Sequence, residues 1–359
     1  MSEEQADGAE VSGTQQPSLF FVTLPKSGTT YTWQTLAELT GLETTPKTDE
    51  SPGWTSYWSG REFGIDTLYS AGDFTSQMLR PQALSRFAPD GFLFGAHMLP
   101  SFHNVTALKD AGLAKVTVLL RDPRDATVSW VHHLRKMGAE TRGYHSKIYG
   151  LPVDLWDWPH DRQMAFHVRT FLPLAVNWVE AWLEYYADPA RELDIQLLLF
   201  DDLKTAPRRY FERILAFHGN TAQSWDPVKP PEPGKRHFRG GRHGDWAAEF
   251  QWDDRAFSDL LLADRLQRAY RRAAAAHPDM ATARSLRDAG DPKGAARHWL
   301  GVLRDFPHAP AAQDGVADFL QMPDGLALEV DAIDPVAQLF QRPSSTLDVL
   351  ERQVSEKAA

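Results

Sequence analysis

Residues 18–30 read SLFFVTLPKSGTT, and the fold turns on this stretch. Ser18–Leu24 is a short apolar run of aromatic and β-branched residues, the pattern of a buried strand. PKSGTT then turns the chain into a helical stretch with Trp33, Leu36 and Ala37 on one side and Gly41 as its C-cap. The unit is strand, tight loop, helix. At a helix start the first N–H groups lack intrahelical partners and the dipole end is positive, so a phosphate is stabilised there. Gly28 permits close backbone approach, Lys26 brings a mobile cation, and Thr29 and Thr30 add hydroxyl donors. The bland alternative is an ordinary strand-to-helix turn with a surface lysine. The loop is not the nucleoside-triphosphatase loop, which needs G-x-x-x-x-G-K-[ST] with its lysine after the glycines.

Working outward, the same alternation repeats. Phe92–Gly95 is a second short strand ending at His97, and Val116–Leu120 is a third that runs into RDPRD. There Asp122 can cap a helix with Pro123 in its first turn, continuing to about Arg135. Phe171, Leu174, Ala175, Trp178, Trp182 and Tyr185 repeat at helical spacing, Ile195–Phe200 is another buried strand, and Thr205 to Gly219 is a helix. Strands alternating with helices predict an α/β fold with a mainly parallel sheet covered on both faces. Residues 44–90 predict loops and short helices rich in Trp and Tyr.

The boundaries expected are a disordered stretch 1–17, a main domain 18–276, a helical hairpin 277–322 of tetratricopeptide type, and a tail 323–359. The hairpin rests on Ala295, Trp299, Leu300 and Leu303 before Pro307, and Val316, Phe319 and Leu320 after it. One such unit does not make a solenoid, so it is expected to pack on the main domain, with a protein contact as the alternative.

The chain has 359 residues, 42% apolar, enough for one large domain with an appendage. Its net charge of −10 argues against nucleic-acid and anionic-membrane partners, although a local basic pocket can still hold an anion. With no cysteine, disulfides, thiolate metal sites and thiol nucleophiles are excluded, which fits a cytoplasmic protein. No signal peptide and no membrane-spanning run are expected. No H-E-x-x-H pattern occurs, and no metal is expected.

Two further segments suit an anion. In RDPRDATVS (121–129), Arg121 at a strand end offers a forked donor and Ser129 a hydroxyl, with Asp125 and Ser129 on one helix face. The alternative is that Arg121 pairs with a carboxylate and Ser129 faces solvent. In RGGRHGDW (239–246), a basic Gly-rich loop that follows Lys235 and Arg236 can fold over an anion, or it is a solvated loop.

Together PKSGTT, RDPRDATVS and RGGRHGDW resemble, in order, the 5′-phosphosulfate loop, the 3′-phosphate segment and the RKGxxGDW element of sulfotransferases that use 3′-phosphoadenosine 5′-phosphosulfate (PAPS). GAHMLP (95–100) resembles that family's KTHLP, and FDDLKTAPRRYFERILAFHG (200–219) its YEDM strand and helix. The resemblance spans Ser18 to Ala275. It implies a P-loop-like three-layer fold with a C-terminal helical extension, PAPS as sulfuryl donor, and a small-molecule hydroxyl acceptor, aromatic or lipid-like. It implies that Lys26, Ser27, Gly28, Thr29 and Thr30 bind the 5′ side and that Tyr31 packs on adenine. Arg121, Ser129, Arg239 and Gly241 would bind the 3′-phosphate region, and His97 would be the general base, with Lys26 stabilising the leaving phosphate. Gly240 and Gly95 stand where the family has lysines. Aromatic residues Trp54, Tyr57, Trp58, Tyr149, Trp156 and Trp158 are candidates for an acceptor pocket or for plain core. Two other readings stay open. One is a phosphotransferase holding Mg²⁺ on Asp201 or Asp202; the other is a degenerate domain that supports protein contacts.

Overall fold

A computed structural model describes residues 16–44, 74–138, 142–143, 146, 150–228, 243–322, 334–343 and 346–358. Four strands, β1 (Leu19–Thr23), β2 (Leu93–Ala96), β3 (Lys115–Leu120) and β4 (Asp194–Leu199), pair in parallel in the order β2-β1-β3-β4. The helices of the first part are α1 (Thr29–Thr40), α2 (Pro81–Phe87), α3 (Phe102–Asp110), α4 (Pro123–Arg135), α5 (His160–Ala187), α6 (Phe200–Thr205) and α7 (Pro207–His218). The second part contains α8 (Asp245–Glu249), α9 (Trp252–Ala275), α10 (Pro278–Asp288), α11 (Pro292–Asp305), α12 (Pro310–Leu320), α13 (Pro335–Leu339) and α14 (Thr346–Ala358).

Every residue of β1 is buried, which explains its unbroken apolar run. Successive strand side chains point to opposite faces, so Phe20 and Val22 enter one core and Leu19 and Phe21 the other. The first core is closed by Val128, Val131 and Leu134 of α4 and by Trp178, Val179 and Trp182 of α5. The second is closed by Trp33, Leu36 and Leu39 of α1 and by Phe211, Ile214 and Leu215 of α7. This is the three-layer α/β arrangement expected from the alternation. Because β1, β2 and β3 run parallel and adjacent, PKSGTT, GAHMLP and RDPRD all emerge at one end of the sheet, where open α/β folds bind ligands.

Register fixes one close approach. Phe21 pairs with Gly95, and a Cβ at Gly95 would lie 2.8 Å from the Phe21 Cζ. The phenyl ring fills the place that a longer residue at 95 would need. The chain's first described residues are tied down too: Gln16 Nε2 donates to the Thr40 carbonyl and Asn220 Nδ2 to that of Pro17.

The C-terminal helices are an extension of the same core. α9 packs along α5, while α11 packs against α10, α12 and α14. Their apolar faces, with Met280, Ala283, Trp299, Leu303 and Val316, join the cluster that covers the first face of the sheet. Charged contacts secure the segment after 333. Arg124 is 1% exposed, bonds both Asp122 and Asp334, and lies 4.0 Å over the Trp246 ring. Arg342 pairs with Asp202, and its backbone N–H donates to Asp201.

Removing one partner from a buried ion network leaves the other charges uncompensated. Arg124→Ala is therefore expected to lower the unfolding free energy by about 3–5 kcal/mol, measured by urea denaturation. A loss below about 1 kcal/mol, the scale of a solvated surface pair, would contradict this role.

Candidate active site

The loop after β1 is tightly curled. Lys26 and Gly28 both have positive φ, 72° and 86°. A left-handed lysine costs about 1–2 kcal/mol, so other contacts must hold it. Ser27 N–H donates to the Leu24 carbonyl at 3.1 Å, and Arg121 Nη1 donates to the Lys26 carbonyl at 2.5 Å. The Arg121 guanidinium also lies 4.5 Å over the Phe200 ring at the start of α6. A Cβ at Gly28 would fall 2.6 Å from Leu203 Cδ2, so α6 closes on the loop from the other side and only glycine fits. Arg121 thus joins the ends of β1, β3 and β4.

This loop fits a phosphate group. Gly28 caps α1 without a side chain, leaving the first-turn amides to another acceptor. Ser27 Oγ is buried and has no hydrogen-bond partner among the described residues. Thr29 Oγ1 meets Thr23 Oγ1 at 2.6 Å, and Thr30 and Tyr31 follow in the first turn of α1. Tyr31 is half-buried, 5.9 Å from the Phe211 ring. Lys26 is half-buried, and its pKa is pushed down to about 7 by burial, then by the charges of Arg121 and Lys136. A bound anion would reverse that balance.

His97 follows β2 and is held on three sides. Its backbone N–H donates to Gln77 Oε1 at 3.2 Å, and its carbonyl accepts Trp178 Nε1–H at 2.6 Å. Its ring Nδ1 lies 2.7 Å from the Thr23 carbonyl oxygen, which can only accept. Nδ1 therefore carries the proton, and the neutral ring has its lone pair on Nε2. Burial pushes the His97 pKa down to about 4; the Thr23 hydrogen bond opposes this, and the Lys26 charge adds to it. His103 uses Nε2 on the Leu79 carbonyl at 2.8 Å, a structural contact that leaves His97 as the histidine beside the loop.

The second segment is organised by its carboxylates. Asp122 caps α4 by accepting from Arg124 N–H. Asp125 accepts from the backbone N–H groups of Gly244 at 3.0 Å and Trp246 at 3.4 Å, tying the GDW element to α4. Burial, then the Asp122 charge, pushes the Asp125 pKa up to about 6, against the pull of Arg121, Gly244 and His243. Ser129 lies one turn further along α4, half-buried. Arg239, Gly240, Gly241 and Arg242 lie outside the described residues, as do Trp54, Tyr57, Trp58 and Tyr149. Trp158 is taken up by Arg162, 3.9 Å over its ring, and by Asp154, which accepts its Nε1–H.

Asp201 and Asp202 are engaged by cations. His243 Nε2 meets Asp201 Oδ1 at 2.7 Å, and Arg342 grips Asp202. Burial works against the Asp201 carboxylate, yet His243, the Arg342 amide and Lys204 hold its pKa below the usual range. These contacts give the pair a structural role. Sequence reasoning missed Arg124, Arg342 and the bond from Arg121 to the Lys26 carbonyl. Each joins segments far apart in the chain and leaves no local pattern.

A family model for the sulfotransferase domain matches residues 16–229. That span is more than half of the chain and contains all four strands with Lys26, His97, Arg121 and Ser129. The chain belongs to the sulfotransferase-domain family. No protein of curated function matches the sequence. Among solved structures, the chain is similar to the mouse sulfotransferase SULT7A1 complexed with PAP, at 15% identity over 70% of this chain and 84% of that one, with a TM-score of 0.43. It is also similar to a sulfotransferase from Alicyclobacillus acidocaldarius, at 18% identity over 71% of this chain and 99% of that one, with a TM-score of 0.31. Among the described residues no helix is long and apolar enough to cross a membrane.

The His97 environment gives a direct test. ¹H–¹⁵N spectra of the histidine side chains are expected to show His97 as the Nδ1–H tautomer, titrating near pH 4. Lys26→Met, which removes a repelling charge, is expected to move that titration upward. A His97 that titrates at its ordinary value near 6.5 would contradict the burial described.

Proposed function

We propose that this chain transfers a sulfuryl group from PAPS to a hydroxyl of a small-molecule acceptor, with His97 as general base. The observation that carries the reading is the meeting of Lys26, Arg121 and His97 at the carboxyl ends of β1, β3 and β2. PAPS supplies a sulfuryl group already carried on a phosphate leaving group. The chain's residues then do what positioning and electrostatics require. Ser27, Gly28, Thr29 and Thr30 hold the 5′ side through the uncapped start of α1 and the Ser27 hydroxyl. Tyr31 offers an aromatic face beside Phe211 for adenine. Arg121 and Ser129 hold the 3′-phosphate, together with Arg239 and Gly241 of the following loop.

His97 Nε2 takes the proton of the acceptor hydroxyl, and the Thr23 carbonyl steadies the imidazolium that forms through Nδ1–H. Lys26 places positive charge where negative charge develops on the departing phosphate. Gly95 removes a family lysine and the Phe21 ring fills its place, while Lys136 contributes charge that reaches Lys26. The acceptor is a small molecule. The test is turnover of radiolabelled PAPS against a panel of phenols, steroids, lipid alcohols and sugars. Labelled product from at least one acceptor supports the reading, and none from any would oppose it.

Two kinetic outcomes follow from the residue roles. His97→Asn is expected to lower turnover by about 10²-fold or more while nucleotide affinity hardly moves, since a base facing the acceptor makes little ground-state contact with the donor. Near-normal turnover at saturating substrates would exclude His97 as base. Lys26→Ala is expected to lower turnover and also weaken PAPS binding.

The pH profile has a definite sign. In the free enzyme Lys26 carries its charge below about pH 7 and loses it above, so kcat/KM for PAPS is expected to fall as pH rises past 7. In the complex the donor's negative charge favours protonated Lys26, so kcat should hold to higher pH than kcat/KM. Two profiles that fall together, or a flat kcat/KM to pH 9, would contradict the assignment.

A further inference from the structure

Outside this site, three side chains from three helices meet at one point. His132 on α4 has Nε2 at 2.8 Å from both oxygens of Glu249, the last residue of α8. His160, the first residue of α5, has Nε2 at 2.9 Å from Glu249 Oε2. The two imidazole rings are 5.0 Å apart, and the three ligand atoms all lie within 4.8 Å of one another. Their side chains are 29%, 37% and 19% exposed, so one side of the cluster faces water.

We propose that His132, His160 and Glu249 bind one divalent cation of the Zn²⁺ type, with water completing the coordination. Two imidazoles and one carboxylate are the donor set that zinc takes in three-residue sites. Tetrahedral zinc with bonds of about 2.0–2.1 Å holds its ligand atoms about 3.3 Å apart. The His–Glu contacts of 2.8–2.9 Å need to open by about half an ångström to admit the ion, and the two imidazole nitrogens, within 4.8 Å of each other, settle to about 3.3 Å. The plain alternative is a pair of hydrogen bonds from two histidines to one carboxylate. That arrangement spends both ring nitrogens on a single anion, whereas a dication engages both lone pairs and the carboxylate together.

The frame is already built. α4 packs against both α5 and α8, and Asp125 fastens the start of α8 through the Gly244 and Trp246 amides. The ligands are therefore held on rigid helices rather than on loops. The ion would fasten the far end of α8 to α4 one turn beyond Ser129, and α8 begins at Asp245, within the RGGRHGDW segment. The site acts as a clasp on the element that carries the proposed nucleotide loop, and it stands on its own geometry whether or not the transfer reading holds.

The experiment titrates the full-length chain, stripped with a chelator, with Zn²⁺ against a chromophoric competitor, and with Mg²⁺ for comparison. One Zn²⁺ per chain is expected, with a rise in melting temperature and no comparable response to Mg²⁺. Loss of outer partners alone costs about 10–100-fold in metal affinity, so loss of a ligand in His160→Gln should cost at least about 10-fold. His132→Gln/His160→Gln together should abolish binding, with circular dichroism to check that the fold persists. His298→Gln, which removes a contact to Asp279 and none to the three ligands, should leave the affinity unchanged. No Zn²⁺ binding, or binding that survives the double substitution, would overturn the proposal.

Discussion

The bond from Arg121 to the Lys26 carbonyl is the constraint around which the site is arranged. It crosses from the end of β3 to the loop after β1, and the same guanidinium rests on Phe200 after β4. A charged hydrogen bond of this kind contributes about 1.5–3 kcal/mol, comparable to what a left-handed lysine costs. With the carbonyl held there, the loop curls at Lys26 and Gly28, α1 starts without a side-chain cap, and Ser27 keeps a buried hydroxyl in reserve. His97 then meets this loop through the Thr23 carbonyl, the residue at the end of the same strand.

Charge is distributed unevenly to match. The chain as a whole carries −10, yet Lys26, Arg121 and Lys136 gather where the strands end, and the last two add to burial in pushing the Lys26 pKa down. That arrangement suits a ligand with several negative charges. Around it the carboxylates Asp122, Asp125, Asp201 and Asp202 are all bonded to backbone amides, arginines or histidine, so they brace the site instead of competing with an anion. Two of those braces, Arg342 on Asp202 and Asp334 on Arg124, come from the C-terminal segment. The helical extension is thereby part of the frame that holds the ends of β3 and β4.

Much of this was legible in the sequence because it is local. The buried run 19–23, the turn at 24–28 and the helix after it each leave a short-range signature, as does the Asp122-Pro123 start of α4. The order of motifs carried the family. What was not legible is long-range. Arg121 and Lys26 are 95 residues apart, and Arg124 and Asp334 are 210 apart. Glu249 lies 117 residues from His132 and 89 from His160, so no metal-type spacing could appear. Gly95 reads as a missing cation in the sequence; the register against Phe21 gives it a steric reason.

The central claim is that the Arg121-centred loop is shaped for a nucleoside bearing phosphates at both the 3′ and 5′ positions. Calorimetry without Mg²⁺, comparing adenosine 3′,5′-bisphosphate with adenosine 5′-monophosphate, tests it most directly. The account predicts at least about tenfold tighter binding of the bisphosphate, and a loss of about 10- to 100-fold in Arg121→Ala, the range expected for one charged hydrogen bond. Equal affinity for the two nucleotides, or an Arg121→Ala variant that binds the bisphosphate as well as the parent chain, would contradict it.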